Sequence, residues 1–227
     1  MKPGRQADGA YATARGDMVR SLRSDITDRR VLEAFGRVPR ERFVPLELRY
    51  LAYEDRPLAI GHGQTISQPR MVALMLQQLR LRGAEKVLDI GTGSGYQAAL
   101  LAELAREVVT VERIPGLAEN AAEVLRELGY ENVRVHLARE ALGWPAEAPY
   151  DAIVVGAAAP RIPQALVDQL APGGRLAVPV GERWEQDLMV VEKRPEGLVV
   201  TRRGACRFVP LIGKEAFSDP DGGDPDL

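Results

Sequence analysis

The run Val87-Leu88-Asp89-Ile90-Gly91-Thr92-Gly93-Ser94-Gly95-Tyr96 constrains the fold of this chain more than any other stretch. It reads as a short apolar strand that carries an acid and then breaks into alternate glycines, with a helical pattern over residues 97–105 directly behind it. Glycines at alternate positions let the backbone pass close to a ligand, and the N–H groups opening the next helix face whatever sits there. Such a strand–turn–helix unit points to a nucleotide-type cofactor, the alternative being a turn that serves structure alone. The spacing narrows the choice. A dinucleotide fingerprint sets its third glycine three residues after the second, whereas here Gly95 follows Gly93 by two and position 96 is Tyr.

The surrounding pattern agrees with an open α/β sheet. Apolar strand candidates fall at 86–90, 108–112, 133–137, 151–155 and 175–180, alternating with helical patterns at 97–105, 117–128 and 163–170. Gly129 and the Pro172-Gly173-Gly174 group supply stop signals. Continuous apolar runs such as Ala152-Ile153-Val154-Val155 mark strands buried on both faces, hence a parallel sheet covered by helices. Beyond residue 184, close-spaced strands at 188–192, 198–202 and 207–211, with a Pro195-Glu196-Gly197 turn, predict an antiparallel edge. Upstream, Val31, Leu32, Phe35 and Val38 recur at helical spacing after a Thr27/Asp28 start signal. Residues 53–63 read as loop, and a helix beginning near Pro69 places Met71, Leu74, Met75 and Leu79 on one face. The expected fold is therefore α/β: a Rossmann-like, doubly wound, mostly parallel sheet over 84–213. A helical segment precedes it over 1–83, and an acidic tail over 214–227 reads as disordered.

Composition excludes several classes. With 227 residues and a net charge of −2, the chain has room for a real core but no electrostatic case for nucleic acid or an anionic membrane. Residues 1–10 have no apolar core, so they do not read as a signal peptide, and the expected location is cytoplasmic. Cys206 is the single cysteine, which rules out an intrachain disulfide; with only His62 and His136 beside it, no metal site is expected. Both histidines read as structural.

A ligand at the carboxyl ends of the strands should meet Asp89, the turn Gly91-Thr92-Gly93-Ser94-Gly95, and the acid Glu112 that ends the second strand. Glu112 lies about twenty residues past the glycines, as a ribose-binding acid should, and its two oxygens suit two hydroxyls. Asp89 either supports the loop or approaches the ligand. Small residues at Gly156-Ala157-Ala158-Ala159 leave room for a reactive end. Upstream, Gly61-His62-Gly63-Gln64-Thr65-Ile66-Ser67-Gln68-Pro69-Arg70-Met71 gathers two hydroxyls and two amides before a helix start. These neutral donors suit an anionic group, or else Ser67 is simply a helix N-cap.

The Gly-x-Gly-x-Gly form after an acid-bearing strand resembles motif I of the S-adenosylmethionine-dependent methyltransferases. More specifically, the chain resembles the protein-L-isoaspartate O-methyltransferase family in Val38-Pro39-Arg40-Glu41-Arg42-Phe43-Val44-Pro45, in Gly63-Gln64-Thr65-Ile66-Ser67-Gln68-Pro69, and in Leu128-Gly129-Tyr130-Glu131-Asn132-Val133. Gly143-Trp144-Pro145, Ala148-Pro149-Tyr150-Asp151 and Phe208-Val209-Pro210-Leu211 also match. The resemblance covers about residues 30 to 213. It implies methyl transfer from S-adenosyl-L-methionine to the free carboxylate of L-isoaspartyl residues in damaged proteins and peptides, with repair through a succinimide, by a monomer. It assigns Ser67 as the active-site serine and Gln64, Thr65, Ile66, Ser67, Asp89, the 91–95 turn, Glu112, Arg113, Arg139 and Glu140 to the cofactor. Thr65, Ser67, Val209 and Pro210 go to the substrate. Two positions depart from the family: Ala138-Arg139-Glu140 stands where Gly-Asp-Gly is usual, and Arg70 where an aromatic or His is common. A guanidinium at Arg70 suits an acidic peptide or is a surface charge. Two other readings share these residues: a carboxyl methyltransferase for one specific peptide or small acid, and a non-catalytic S-adenosylmethionine-binding protein.

Overall fold

The alternating pattern beyond residue 84 folds into one large sheet in a computed structural model, which describes residues 4–218. After a small hairpin of β1 (Leu58–Gly61) and β2 (Gln64–Ile66), the sheet strands are β3 (Lys86–Ile90), β4 (Glu107–Glu112), β5 (Val133–Leu137), β6 (Tyr150–Val155), β7 (Leu170–Gly181), β8 (Gln186–Arg194) and β9 (Gly197–Cys206). Their spatial order is β5-β4-β3-β6-β7-β8-β9, parallel from β5 to β7 and antiparallel for β8 and β9. The helices are α1 (Gly4–Leu22), α2 (Arg29–Arg37), α3 (Pro69–Leu79), α4 (Tyr96–Ala102), α5 (Pro115–Glu127) and α6 (Gln164–Asp168). The expected α/β class, mostly parallel sheet and antiparallel edge are all present.

Strand periodicity divides the core in two. Val87, Val108, Ala152 and Val154 point into a cluster with Phe35, Met75 and Leu100 of the helices, while Leu88, Ile90, Val109, Ile153 and Val155 pack on the other face with Leu166 and Leu170. Burial on both faces is why these strands are apolar without alternation. Asp28 caps α2 by accepting a hydrogen bond from the Arg30 N–H at 2.9 Å.

Four local expectations differ from the structure. The stretch read as loop before Pro69 contains the β1–β2 hairpin; its two-residue turn is His62-Gly63, with φ of 52° and 68°, the left-handed pair that a tight hairpin requires. Pro172-Gly173-Gly174 does not end the preceding helix but sits inside β7 as an irregularity, where pairing jumps from Tyr150↔Leu170 to Ala152↔Arg175. Residues 207–211 make an isolated bridge, Ala158↔Pro210, in place of a further antiparallel strand, since Pro210 has no N–H to offer a ladder. On α3 the buried face is Val72, Met75, Leu76 and Leu79, with Met71 and Leu74 only partly buried. Of the tail, residues 214–218 are described and fold back, with Phe217 N–H donating to the Leu211 carbonyl at 2.9 Å; residues 219–227 lie outside the described residues.

Candidate active site

Strand order reverses between β3 and β6, so the crevice beyond their carboxyl ends is where an open α/β sheet binds its ligand. Gly91 follows β3 and Gly156 follows β6, on the two lips of this crevice. The Gly91 N–H donates to the Val111 carbonyl at 2.8 Å and the Gly156 N–H to the Ile90 carbonyl at 2.7 Å, pinning both turns to the sheet. Gly91 and Gly93 hold φ of +88° and +53°. Gly95 has another reason to be glycine: a Cβ there would lie 3.2 Å from the Ala121 Cβ, so its absence lets α4 start against α5.

The two acids are placed differently. Asp89 is fully buried. Its Oδ1 accepts from Gln97 Nε2 at 2.7 Å and its Oδ2 from Thr110 Oγ1 at 2.8 Å, which in turn lies 2.7 Å from Thr92 Oγ1. It faces none of the cavities described below, so the loop-support alternative is the one the geometry matches. Burial pushes its carboxyl up to about 7, opposed by the Gln97 and Thr110 hydrogen bonds and reinforced by the charge of Glu112. Glu112 lies at the crevice. Its Oε2 accepts from the Gly93 N–H at 2.8 Å and its Oε1 from the Arg113 and Ile114 N–H groups at 2.9 and 3.0 Å. A carboxylate offers about four acceptor positions, so about one remains for a ligand hydroxyl. The same side chain therefore shapes the glycine loop and offers one acceptor to the cavity.

Three connected spaces meet here. A cavity of about 380 Å³ is walled by Gln64, Thr65, Gly91, Gly93, Glu112 and Arg113 on one side, and by Arg139, Glu140, Val209 and Pro210 on the other. This is within the range of small-molecule sites. A pocket of about 40 Å³ adjoins it, lined by Ile66, Ser67, Thr92 and Ser94. An open cleft of about 720 Å³ carries Thr65, Ser67, Val209 and Pro210 on its wall. Thr65 and Gly156 line all three. A Cβ at Gly156 would come within 3.3 Å of the Gly91 carbonyl oxygen, so only glycine keeps this junction open without displacing the loop.

Ser67 is not the N-cap of α3. That position is Gln68, whose own side chain makes no cap bond; the first-turn N–H of Arg70 is instead accepted by Asp55 Oδ1 at 2.9 Å. The Ser67 hydroxyl makes no hydrogen bond among the described residues, while its carbonyl is held by Arg40 Nη2 at 2.9 Å. Arg40, which carried no assigned role in the sequence, is fully buried; its Nε also donates to the Ala52 carbonyl at 2.7 Å and its guanidinium lies 4.8 Å from the Tyr96 ring centre. The arginine thus fixes the backbone on which the serine hydroxyl stands. Val209 has its carbonyl engaged by the Ala158 N–H at 2.8 Å, leaving its side chain to the cleft. Arg70 points away, pairing with Asp25 at 2.8 Å, and does not line the cleft. His62, read as structural, stands on the cofactor-sized cavity's wall. The Gly61-His62-Gly63 run between two short segments, Leu58-Ala59-Ile60 and Gln64-Thr65-Ile66, was the turn signal that would have placed it there.

The sequence model of the protein-L-isoaspartate(D-aspartate) O-methyltransferase family matches residues 13–216. The chain belongs to that family. It is 56% identical over 206 residues to protein-L-isoaspartate O-methyltransferase 1 of Syntrophobacter fumaroxidans, covering 90% of this chain and 96% of that one. To the protein-L-isoaspartate O-methyltransferase of Methanopyrus kandleri it is 49% identical, covering 94% and 98%. Among solved structures it resembles that of a beta-aspartate methyltransferase (PCMT) from Plasmodium falciparum in complex with S-adenosyl-L-homocysteine. The TM-score is 0.75 at 28% identity, covering 88% of this chain and 96% of that one.

Within this family member, the residues present fit S-adenosylmethionine. The glycine-walled crevice lets backbone approach the ligand, the Glu112 acceptor suits a ribose hydroxyl, and Ile90, Val111 and Leu142 give apolar walls. The departure at Arg139 has a local explanation. Its guanidinium lies 4.9 Å from the Trp144 ring centre, and the indole stacks on His136 at 4.1 Å. The cation is thereby held on an aromatic face at the cavity rim.

Proposed function

We propose that the chain transfers a methyl group from S-adenosyl-L-methionine to the free α-carboxylate of L-isoaspartyl residues in damaged proteins. The ester then collapses to a succinimide as the neighbouring backbone nitrogen displaces methanol, and hydrolysis returns part of the product to aspartate. The observation that carries this reading is the junction at Thr65 and Gly156, where the larger glycine-walled cavity, the small pocket and the open cleft meet beside an uncommitted serine hydroxyl.

Bound S-adenosylmethionine supplies an activated methyl on a sulfonium sulfur. The protein's task is then positional. A carboxylate is already ionised at pH 7, so no general base is required, and Asp89 is sealed behind the loop. Ser67 Oγ donates to one carboxylate oxygen and directs the other toward the small pocket, where an approach of roughly 3 Å is the near-attack condition. Thr65 flanks it on the shared wall, and Arg40 holds the Ser67 backbone still. Gly156 keeps the passage open. Ser67 is a positioning donor, with no covalent intermediate.

We further take the enzyme to act in the cytoplasm, as a monomer, on polypeptides rather than nucleic acid. The net charge of −2 supports polypeptide over nucleic acid, and the lone cysteine supports the compartment. The test is methyl transfer from labelled S-adenosylmethionine to an isoaspartyl peptide and to its aspartyl isomer. Base-labile label on the first and none on the second is expected; no label on any isoaspartyl peptide overturns the proposal.

A further inference from the structure

The open cleft beyond Ser67 has an electrostatic bias that the reaction itself does not require. Its charged lining side chains are Arg183 and Arg207, and no acid lines it among the described residues, in a chain whose net charge is −2. Several surface arginines here are paired: Arg29 with Glu33, Arg37 with Glu103, Arg42 with Glu127, Arg70 with Asp25, Arg202 with Asp187. The two cleft arginines have no carboxylate partner among the described residues. Arg207 is exposed and lies 5.5 Å from the ring centre of Trp184, itself 75% exposed. Arg183, in the turn between β7 and β8, sits 5.1 Å from the Phe217 ring centre and gives one N–H to the Ser218 carbonyl at 3.0 Å. Glu182 and Glu185 flank this Arg-Trp pair in sequence but do not line the cleft.

Each guanidinium therefore keeps donors free while its orientation is set by an aromatic face, which lowers the entropy lost on binding a carboxylate. We propose that Arg183 and Arg207 select isoaspartyl peptides that carry further acidic residues beside the damaged one. This rests on the proposed reaction and names the class of polypeptide it favours. The isoaspartyl α-carboxylate occupies Ser67, and flanking carboxylates extend along the outer wall toward the two arginines. The acidic-peptide role that the sequence alone suggested for Arg70 falls instead to these two residues, since Arg70 is paired with Asp25 outside the cleft.

The experiment compares two isoaspartyl peptides of equal length whose flanking residues are all acidic or all basic. Labelled methyl transfer gives kcat/KM for wild type and for the Arg183→Gln/Arg207→Gln double variant. Two exposed charge pairs predict a preference of about fivefold for the acidic peptide at low ionic strength, carried mainly by KM. The preference should shrink to less than about twofold near 0.5 M salt, where screening acts over only a few ångströms. The double variant should bring the ratio close to one, while Arg29→Gln, which removes the same charge from α2, keeps the wild-type ratio. Equal kcat/KM for the two peptides in wild type, or an unchanged ratio in the double variant, overturns the selectivity. Failure to methylate any isoaspartyl peptide overturns the underlying reaction instead, so the two failures are distinguishable.

Discussion

Replacing Asp89 by Asn tests the buried centre of this site through its pH dependence. The carboxyl is fully buried, and burial raises its pKa from 3.8 to about 7. An acid with a folded-state pKa above its unfolded value binds its proton more tightly when folded. Its stabilising contribution is therefore full below about pH 4, falls across the interval between the two values, and is gone above about pH 7. Within that interval each pH unit removes about 1.4 kcal/mol. Asp89→Asn has no such titration. It also keeps the network: the amide oxygen accepts from Gln97, the amide N–H donates to Thr110, and the Thr110 hydroxyl turns to Thr92, a contact in which either oxygen can donate. Between about pH 5 and about pH 8 the variant should gain about 2 to 3 kcal/mol on wild type. For a chain of this size that is a relative rise in Tm of about 4 to 12 °C. Urea and thermal melts of both proteins at the two pH values measure it, and every other titrating group cancels in the comparison. A wild-type–variant gap that does not change with pH would refute the raised pKa and the buried, unpaired acid behind it.

Three further substitutions probe the remaining parts of the site. Ser67→Ala removes one hydrogen bond to a charged carboxylate and should lower kcat about tenfold or more, with cofactor affinity by calorimetry changed less than about twofold; equal turnover would contradict the positioning role. Arg40→Met fills most of the arginine's volume but strands the Ala52 and Ser67 carbonyls. It should cost about 2 to 4 kcal/mol in urea denaturation, with Arg40→Lys recovering part of it. Glu112→Gln replaces one carboxylate oxygen by an NH2, which then faces either the Gly93 N–H or the Arg113 and Ile114 N–H groups, and should weaken cofactor binding about tenfold or more; unchanged affinity in calorimetry would remove Glu112 from the site.

Much of the molecule was legible before any coordinates because its signals are local. The glycine spacing at 91–95, the doubly apolar strands and the Asp28 cap each follow from what one strand, turn or helix end demands of its own residues, and these parts formed as expected. The hairpin at residues 58–66 was missed because its strands are only four and three residues long, too short for alternation to stand out. Pro172-Gly173-Gly174 carries the same letters whether it ends a helix or bulges a strand, and pairing with β6 decided which.

The strand that runs into alternate glycines fixed the fold class and a nucleotide-type site from the residues alone, and the resemblance carried by Gly-Gln-Thr-Ile-Ser-Gln-Pro pointed to the family and its cofactor. What tertiary structure decided is where each of these side chains stands. Two acids that look alike in sequence were separated by depth: Asp89 sealed behind the loop, Glu112 at the cavity. Arg40 became the support of Ser67 through contacts twelve and twenty-seven residues away along the chain, and the cleft's cations proved to be Arg183 and Arg207 rather than Arg70. Burial, and the partner a charge finds, depend on segments far apart in sequence, and only the packed chain brings those segments together.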